Sequence, residues 1–381
     1  MLGVADKKLF SDSGFSPYQE NYVFTAFAVR AGLEISVGEA SERLAMETVR
    51  GHMRILDAVD PMLMTSSPPE PIFAIAAAEA MNSSEEIYKT ALRTLLKNLI
   101  LESVVLDRGL QGELSTRLLL LRARDKATPG GNGFVKIDPI SILPMVQPVE
   151  LSKFLQTLLG DTLGIADEQR NVRDKFLKEA SSVWINFTHI WQLSMSIGEV
   201  TESMLLNAWS TGTALQCVHN QPVIDGFIVG YRGSLDEPFQ SSRLTTIPWR
   251  SKARSTAALL TAPFIVPQNG GSRYKPWHVV ILMDLAASSA FGSARGPHCD
   301  LTSEGAARPK GEQETWSSYA ETNESEGQRY CLNICGYRAV NYPVLHRLEK
   351  EFDTLFTRAL GYTEPEFMPF AGMMAKAMLL D

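Results

Sequence analysis

The chain reads as a mixed α/β protein with a helical first half and a β-rich region at about residues 211–340. Three observations predict it. Apolar residues recur at three- and four-residue steps through the first two hundred positions, the spacing of a buried helix face. From Gly212 the texture changes to runs of five to nine β-branched and apolar residues between Gly, Pro and Asn. Hydrophobic residues make up 45% and charged residues 21% of 381 positions, which suits a globular protein with a sizeable core.

The helical elements follow in order. Glu20–Ala31 is a strong helical stretch ended by Gly32. Gly38–Leu56 carries Ala40, Leu44, Met46, Val49 and Met53 on one face. The Ser66–Pro71 segment breaks the chain. Ile72–Met81 is a short Ala-rich helix, and Ser84 is the candidate N-cap of the next. Gly112–Ala127 holds the run Leu118–Leu121, apolar on every side, so it is predicted to be a core helix. Thr128–Gly133 is the plainest linker. Val149–Leu159, Arg170–Gln192, Glu202–Trp209 and Val344–Ala359 are predicted as further helices. Thr213–Val218, Val223–Tyr231, Leu244–Trp249, Val279–Met283 and Tyr330–Ile334 are predicted as strands. The second and third of these are expected to pair antiparallel, because the turn-rich stretch between them is too short for a crossover helix. Pro248 lacks a ladder donor and suits an edge or a bulge.

These elements divide the chain into a helical region at 1–128, in which 111–127 is placed to pack on the sheet, a linker and helical insertion at 129–210, a β-rich core at 211–361 and a tail at 362–381. Residues 286–328 carry many acids, among them Asp300, Glu304, Glu312 and Glu321, and few apolar residues, so an irregular exposed loop is expected there.

Composition excludes several classes. A net charge of −7 does not describe a protein coated in positive surface, though it leaves room for a local basic groove. Four cysteines make no disulfide framework, and Cys331, Cys335, His298 and Cys299 match no common zinc spacing. No apolar run approaches the ~20 residues of a membrane span, and no secretory h-region is seen. The expectation is a soluble intracellular protein, in cytoplasm or nucleus, with no membrane partner. No Gly-x-Ser-x-Gly motif occurs, and the Gly-rich pieces lack the Lys-Ser/Thr of a phosphate loop. His189 reads as a packed core residue.

One constellation carries chemistry. Asp225 interrupts the apolar stretch Val223–Val229, and a buried carboxylate is costly unless paired or bound to a cation. The next predicted strand runs on into Arg250-Ser251-Lys252, where alternation puts Arg250 and Lys252 on one face. Between Ile228 and Leu260 the basic residues Arg232, Arg243, Arg250, Lys252 and Arg254 outnumber Asp236 and Glu237, a patch able to follow a phosphate backbone.

An apolar strand with Asp, a turn, then a strand ending in an acid, any residue and Lys resembles the core of the PD-(D/E)XK nucleases. The resemblance implies a restriction-endonuclease-like fold for 211–361. It implies metal ligation by Asp225 and a water-activating, charge-stabilising role for Lys252. It implies a further Glu from an early core helix, a place that Glu113 would fill. Mg²⁺ would be the cofactor if the protein were active. Arg243, Arg250, Lys252 and Arg254 would meet nucleic acid. The departure is Arg250 at the acid position, because a guanidinium cannot ligate Mg²⁺. The segments Tyr22–Asp60, Glu70–Asn82, Gly109–Ala127 and Asn220–Lys252 are also similar to those of an expanded, uncharacterised family of basidiomycete fungal proteins, which implies little about activity. Four readings stay open. They are an ordinary strand pair with a salt-bridged Asp225, a nuclease-like fold without catalysis, an active metal nuclease, and a non-enzymatic protein–protein interaction module.

Overall fold

The computed structural model describes residues 2–33, 54–55, 65–66, 71–101, 108–128, 147–218, 224–252, 277–284, 298–303, 328–335, 339 and 342–360. Mixed α/β architecture is what it shows. The helices are α1 (Leu2–Phe10), α2 (Glu20–Ala31), α3 (Pro71–Met81), α4 (Glu85–Leu101), α5 (Arg108–Ala127), α6 (Leu151–Leu159), α7 (Arg170–Ala180), α8 (Glu202–Thr211) and α9 (Glu349–Leu360). The strands of the main sheet are β1 (Val149–Glu150), β2 (Val183–Ile185), β3 (His189–Gln192), β4 (Thr213–Gln216), β5 (Gly226–Arg232), β6 (Leu244–Lys252), β7 (Trp277–Asp284), β8 (His298–Ser303) and β9 (Gln328–Cys335). A separate two-residue ladder joins Arg54–Ile55 to Thr65–Ser66. No described helix is long and apolar enough to cross a membrane.

Local chemistry sets the helix ends. Gly32 adopts φ +60° after α2, and its N–H donates to the Ala28 carbonyl, a left-handed cap that suits a residue without Cβ. Ser84 does cap α4, its hydroxyl accepting from the Ile87 N–H. Leu118 to Leu121 are all buried, so α5 is a core helix, packed against α6, α9 and β6.

The sheet runs β8-β9-β7-β6-β5 from one edge. β5 and β6 are antiparallel, as the short connection requires, while β6–β7 and β7–β9 are parallel. The far edge of β5 is shared: Gly226 and Phe227 pair with β4, and Gly230–Arg232 pair with β2. β3 lies parallel beyond β4, and β1 antiparallel beyond β2. Side chains then alternate between two cores. Ile228, Ile247, Trp249, Ile281 and Met283 join the large cluster that also holds α1–α6 and α9. Phe227, Val229, Tyr231 and Leu244 join a smaller cluster under α8. Gly226 is required where it stands, because a Cβ there would run into the Trp249 ring and the Leu215 carbonyl oxygen.

Several expectations are corrected. Arg170–Gln192 is not one helix. α7 stops at Ala180, where the hydroxyls of Ser181 and Ser182 turn back to the carbonyls of Lys178 and Glu179. The β-branched and aromatic residues that follow form β2 and β3. The acidic stretch 286–328 contains a strand, β8, paired along its length with β9; the rest of it lies outside the described residues, apart from Gln328 at the start of β9. Pro248 stands in an interior strand, not an edge. It is tolerated because the ladder with β7 begins only at Trp249. One hydrophobic cluster takes in described helices of 1–128 and one face of the sheet. Most of Gly38–Leu56, the Thr128–Gly133 linker after Thr128, and 362–381 lie outside the described residues.

Candidate functional site

The amino end of β5, the carboxyl ends of β4 and β6 and the first turns of α5 meet at one end of the sheet. Asp225 stands immediately before β5 and is stitched to both neighbours. Its N–H donates to the Trp249 carbonyl at 3.0 Å, and its own carbonyl accepts from the Cys217 N–H at 2.8 Å. Its carboxylate Oδ2 accepts from the Ser251 N–H at 2.6 Å and from the Ser251 hydroxyl at 2.9 Å. Two donors on one carboxylate oxygen are the satisfaction that a part-buried charge inside an apolar strand needs. The β5–β6 ladder begins at Gly226–Trp249, and Asp225, just outside it, is held to the Trp249 carbonyl and to Ser251.

Glu113 reaches the same end from α5. Gln216, buried at the end of β4, donates from Nε2 to Glu113 Oε2 at 2.6 Å and accepts at Oε1 from Arg117 Nη1 at 2.6 Å. Those two partners fix the orientation of the amide, because only nitrogen can donate to a carboxylate. Arg117 also donates to the carbonyl of Gly32, which ties the site to the end of α2. Glu113 and Arg117 are four residues apart on α5 and so share a face.

The two carboxylates act on one buried atom. The Cys217 thiol is pushed up to about 12, first by burial, then by the Asp225 charge, then by that of Glu113. Glu113 is held by Gln216, and the next residue, Cys217, pairs with Asp225, so both acids reach the same end of the sheet. Lys252 closes β6 in register with Asp284 at the end of β7, which places its backbone at the same end of the sheet; its side chain lies outside the described residues.

Arg243 does not belong to this group. It precedes β6, whose nine residues at ~3.3 Å each put on the order of 27 Å between its ends. There Arg243 Nη1 meets Glu237 Oε2 at 2.5 Å. The expected basic cluster is therefore split, and Arg254 lies outside the described residues. His189 is a core residue, as expected, but on a strand. Its ring nitrogens lie 3.1 Å from the Thr188 hydroxyl and 3.0 Å from that of Thr213. Burial and then Arg30 push its pKa down to about 3. Cys217 is a buried free thiol.

Sequence reasoning missed Gln216, Arg117 and Ser251. Ser251 occupies the unconstrained middle of Arg250-Ser251-Lys252. Gln216 is a polar residue ending an otherwise buried strand, and that was the available signal. Two hard carboxylates suit Mg²⁺, but the third position is a guanidinium with no lone pair to give. Among the described residues no group of three His, Cys, Asp or Glu side chains is placed to hold a metal ion. The residues present do not fit a metal, and no chemical step is derived through one. No protein-family model, no curated protein and no solved structure matches the chain.

Proposed function

We propose that this is a nuclease-type protein of the PD-(D/E)XK kind in which Arg250 has taken the place of the metal-binding acid. It contacts a nucleic-acid phosphate backbone and is impaired in metal-dependent cleavage. The reading is supported by two acids at one sheet end, Glu113 bonded to Gln216 and Asp225 paired with the adjacent Cys217 and with Ser251, where β6 finishes in Arg250-Ser251-Lys252. In an active site of this type two acids and a lysine surround the scissile phosphate. A cation there offsets phosphoryl charge and lowers the pKa of the attacking water. Replacing one acid with arginine keeps an attraction for phosphate and removes a ligand. Binding thus outlasts catalysis.

The test is fluorescence anisotropy of the full chain with a labelled DNA duplex and a labelled RNA hairpin over a salt series. Affinity is expected to fall linearly on logarithmic axes. Arg250→Ala and Lys252→Ala should each reduce the slope by about 1, the signature of one lost phosphate contact. Absence of binding to either nucleic acid at low salt would overturn the reading.

A further inference from the structure

We infer that the corner where the 233–243 loop meets α8 is a docking surface for a protein segment that presents a proline or aromatic ring flanked by Lys or Arg. It stands at the end of β6 opposite Asp225 and is independent of nucleic-acid contact. Five large apolar side chains are exposed among the described residues, and three of them, Leu206, Leu235 and Phe239, belong to α8 and this loop. They gather around one buried ring. Tyr231 meets the Trp209 ring at 5.7 Å between centroids and stacks on the Phe239 ring at 5.0 Å. The ring contacts therefore run from the small core under α8 out to Phe239, which is 46% exposed. Glu202, Leu206 and Trp209 recur at four- and three-residue steps, so they line one flank of α8 and extend the apolar strip along it.

The loop is held in place before anything binds. Pro238 fixes the backbone ahead of Phe239. The Gln240 N–H donates to the Tyr231 hydroxyl at 3.4 Å, and Glu237 pairs with Arg243. An exposed apolar patch with a polar rim marks a recognition surface, and this rim is acidic. Glu202 lies at the α8 end of the strip and Asp236 in the loop at the other; neither is in an ion pair among the described residues. Side-chain alternation turns Arg232 to the sheet face opposite Tyr231, so it does not offset them. Two such carboxylates repel phosphate, which disfavours nucleic acid or an anionic membrane here. A second copy docked about a two-fold axis would bring the same acids together. A basic peptide fits instead. Its cations meet Glu202 and Asp236, its ring packs on the open face of Phe239, and a neighbouring Lys or Arg gains the attraction of that ring for positive charge.

The experiment is selection of a random peptide library displayed on phage against the immobilised full chain, followed by fluorescence anisotropy of the most enriched peptide. Peptides with a proline or aromatic residue between Lys or Arg residues should be enriched. Affinity should fall about tenfold or more in Phe239→Ser, the effect of truncating a ring at the centre of an interface. Glu202→Gln and Asp236→Asn should each weaken binding about two- to fivefold and reduce its dependence on salt. If Phe239→Ser does not fold, Leu206→Ser and Leu235→Ser, both exposed positions, take its place with the same direction of change. No enrichment, enrichment of acidic peptides, or an affinity unmoved by these substitutions would overturn the inference. Self-association in sedimentation that Phe239→Ser abolishes would overturn it too, by making a second copy the occupant, and so would loss of DNA or RNA binding in Phe239→Ser. The substitutions leave Asp225, Glu113 and Arg250 in place, so a failed peptide selection leaves the nucleic-acid reading standing.

Discussion

Gln216 joins Glu113 to Arg117 through one neutral amide, and that makes it the residue whose loss is simplest to read. Gln216→Leu keeps the volume and removes both hydrogen bonds, taking a partner from a carboxylate and from a guanidinium at once. Leaving such groups short of a partner costs about 1–3 kcal/mol, to be seen as a lower urea midpoint at unchanged slope. An unchanged midpoint would mean that water replaces the amide freely. Asp225 was legible in the sequence because a charge inside an apolar run has few explanations. Gln216 and Ser251 were not, since a neutral polar residue at a strand end is ordinary and only the fold shows what it faces. Arg243 was grouped with Lys252 because nine positions look close in sequence; in an extended strand they are far apart.

Between elements, the strongest tie is the buried pair of Arg30 on α2 and Asp125 on α5. Both nitrogens of the guanidinium fork meet the carboxylate, at 2.8 and 2.7 Å, and Arg30 Nε donates to the Thr188 carbonyl beside β3. Asn82 adds a further donor to Asp125. Removing one member leaves the other charged and buried, so Arg30→Met should destabilise by about 3–5 kcal/mol in chemical denaturation. His189 links β3 to β4 through Thr213 and gives the fold a pH response. The unfolded chain protonates this imidazole near 6.5, whereas the folded chain resists down to about 3. Between those limits the unfolded state binds the extra proton, so stability present at neutral pH is lost as pH falls. By pH 5 the loss from this group is about 2 kcal/mol. His189→Asn should flatten that part of the stability–pH curve; an equal slope in both proteins would assign the loss to other groups. The helix ends at Gly32 and Ser84 were readable because caps are local chemistry. β2 and β3 were not, because their strand state comes from pairing with β5 and β4, far along the chain.

At the scale of the whole molecule, one core reaches from Ala5 in α1 to Leu355 in α9 and takes in one face of the sheet. The change of texture near Gly212 was read as a boundary between regions. In the fold α8 gives way to β4 at that point, and α5 packs onto β6. The mixed class and the antiparallel β5–β6 pair followed from period and loop length. The parallel β6–β7 and β7–β9 pairs did not, because parallel partners are set by packing and not by a turn. The central claim is that the acid-to-arginine change at Arg250 separates contact with nucleic acid from its hydrolysis. The most direct measurement is a cleavage assay of the unmodified full chain on labelled DNA and RNA, in Mg²⁺ and in Mn²⁺, at protein concentrations that saturate binding. The account predicts bound, intact nucleic acid in both metals. Metal-dependent cleavage that disappears in Asp225→Ala would contradict it.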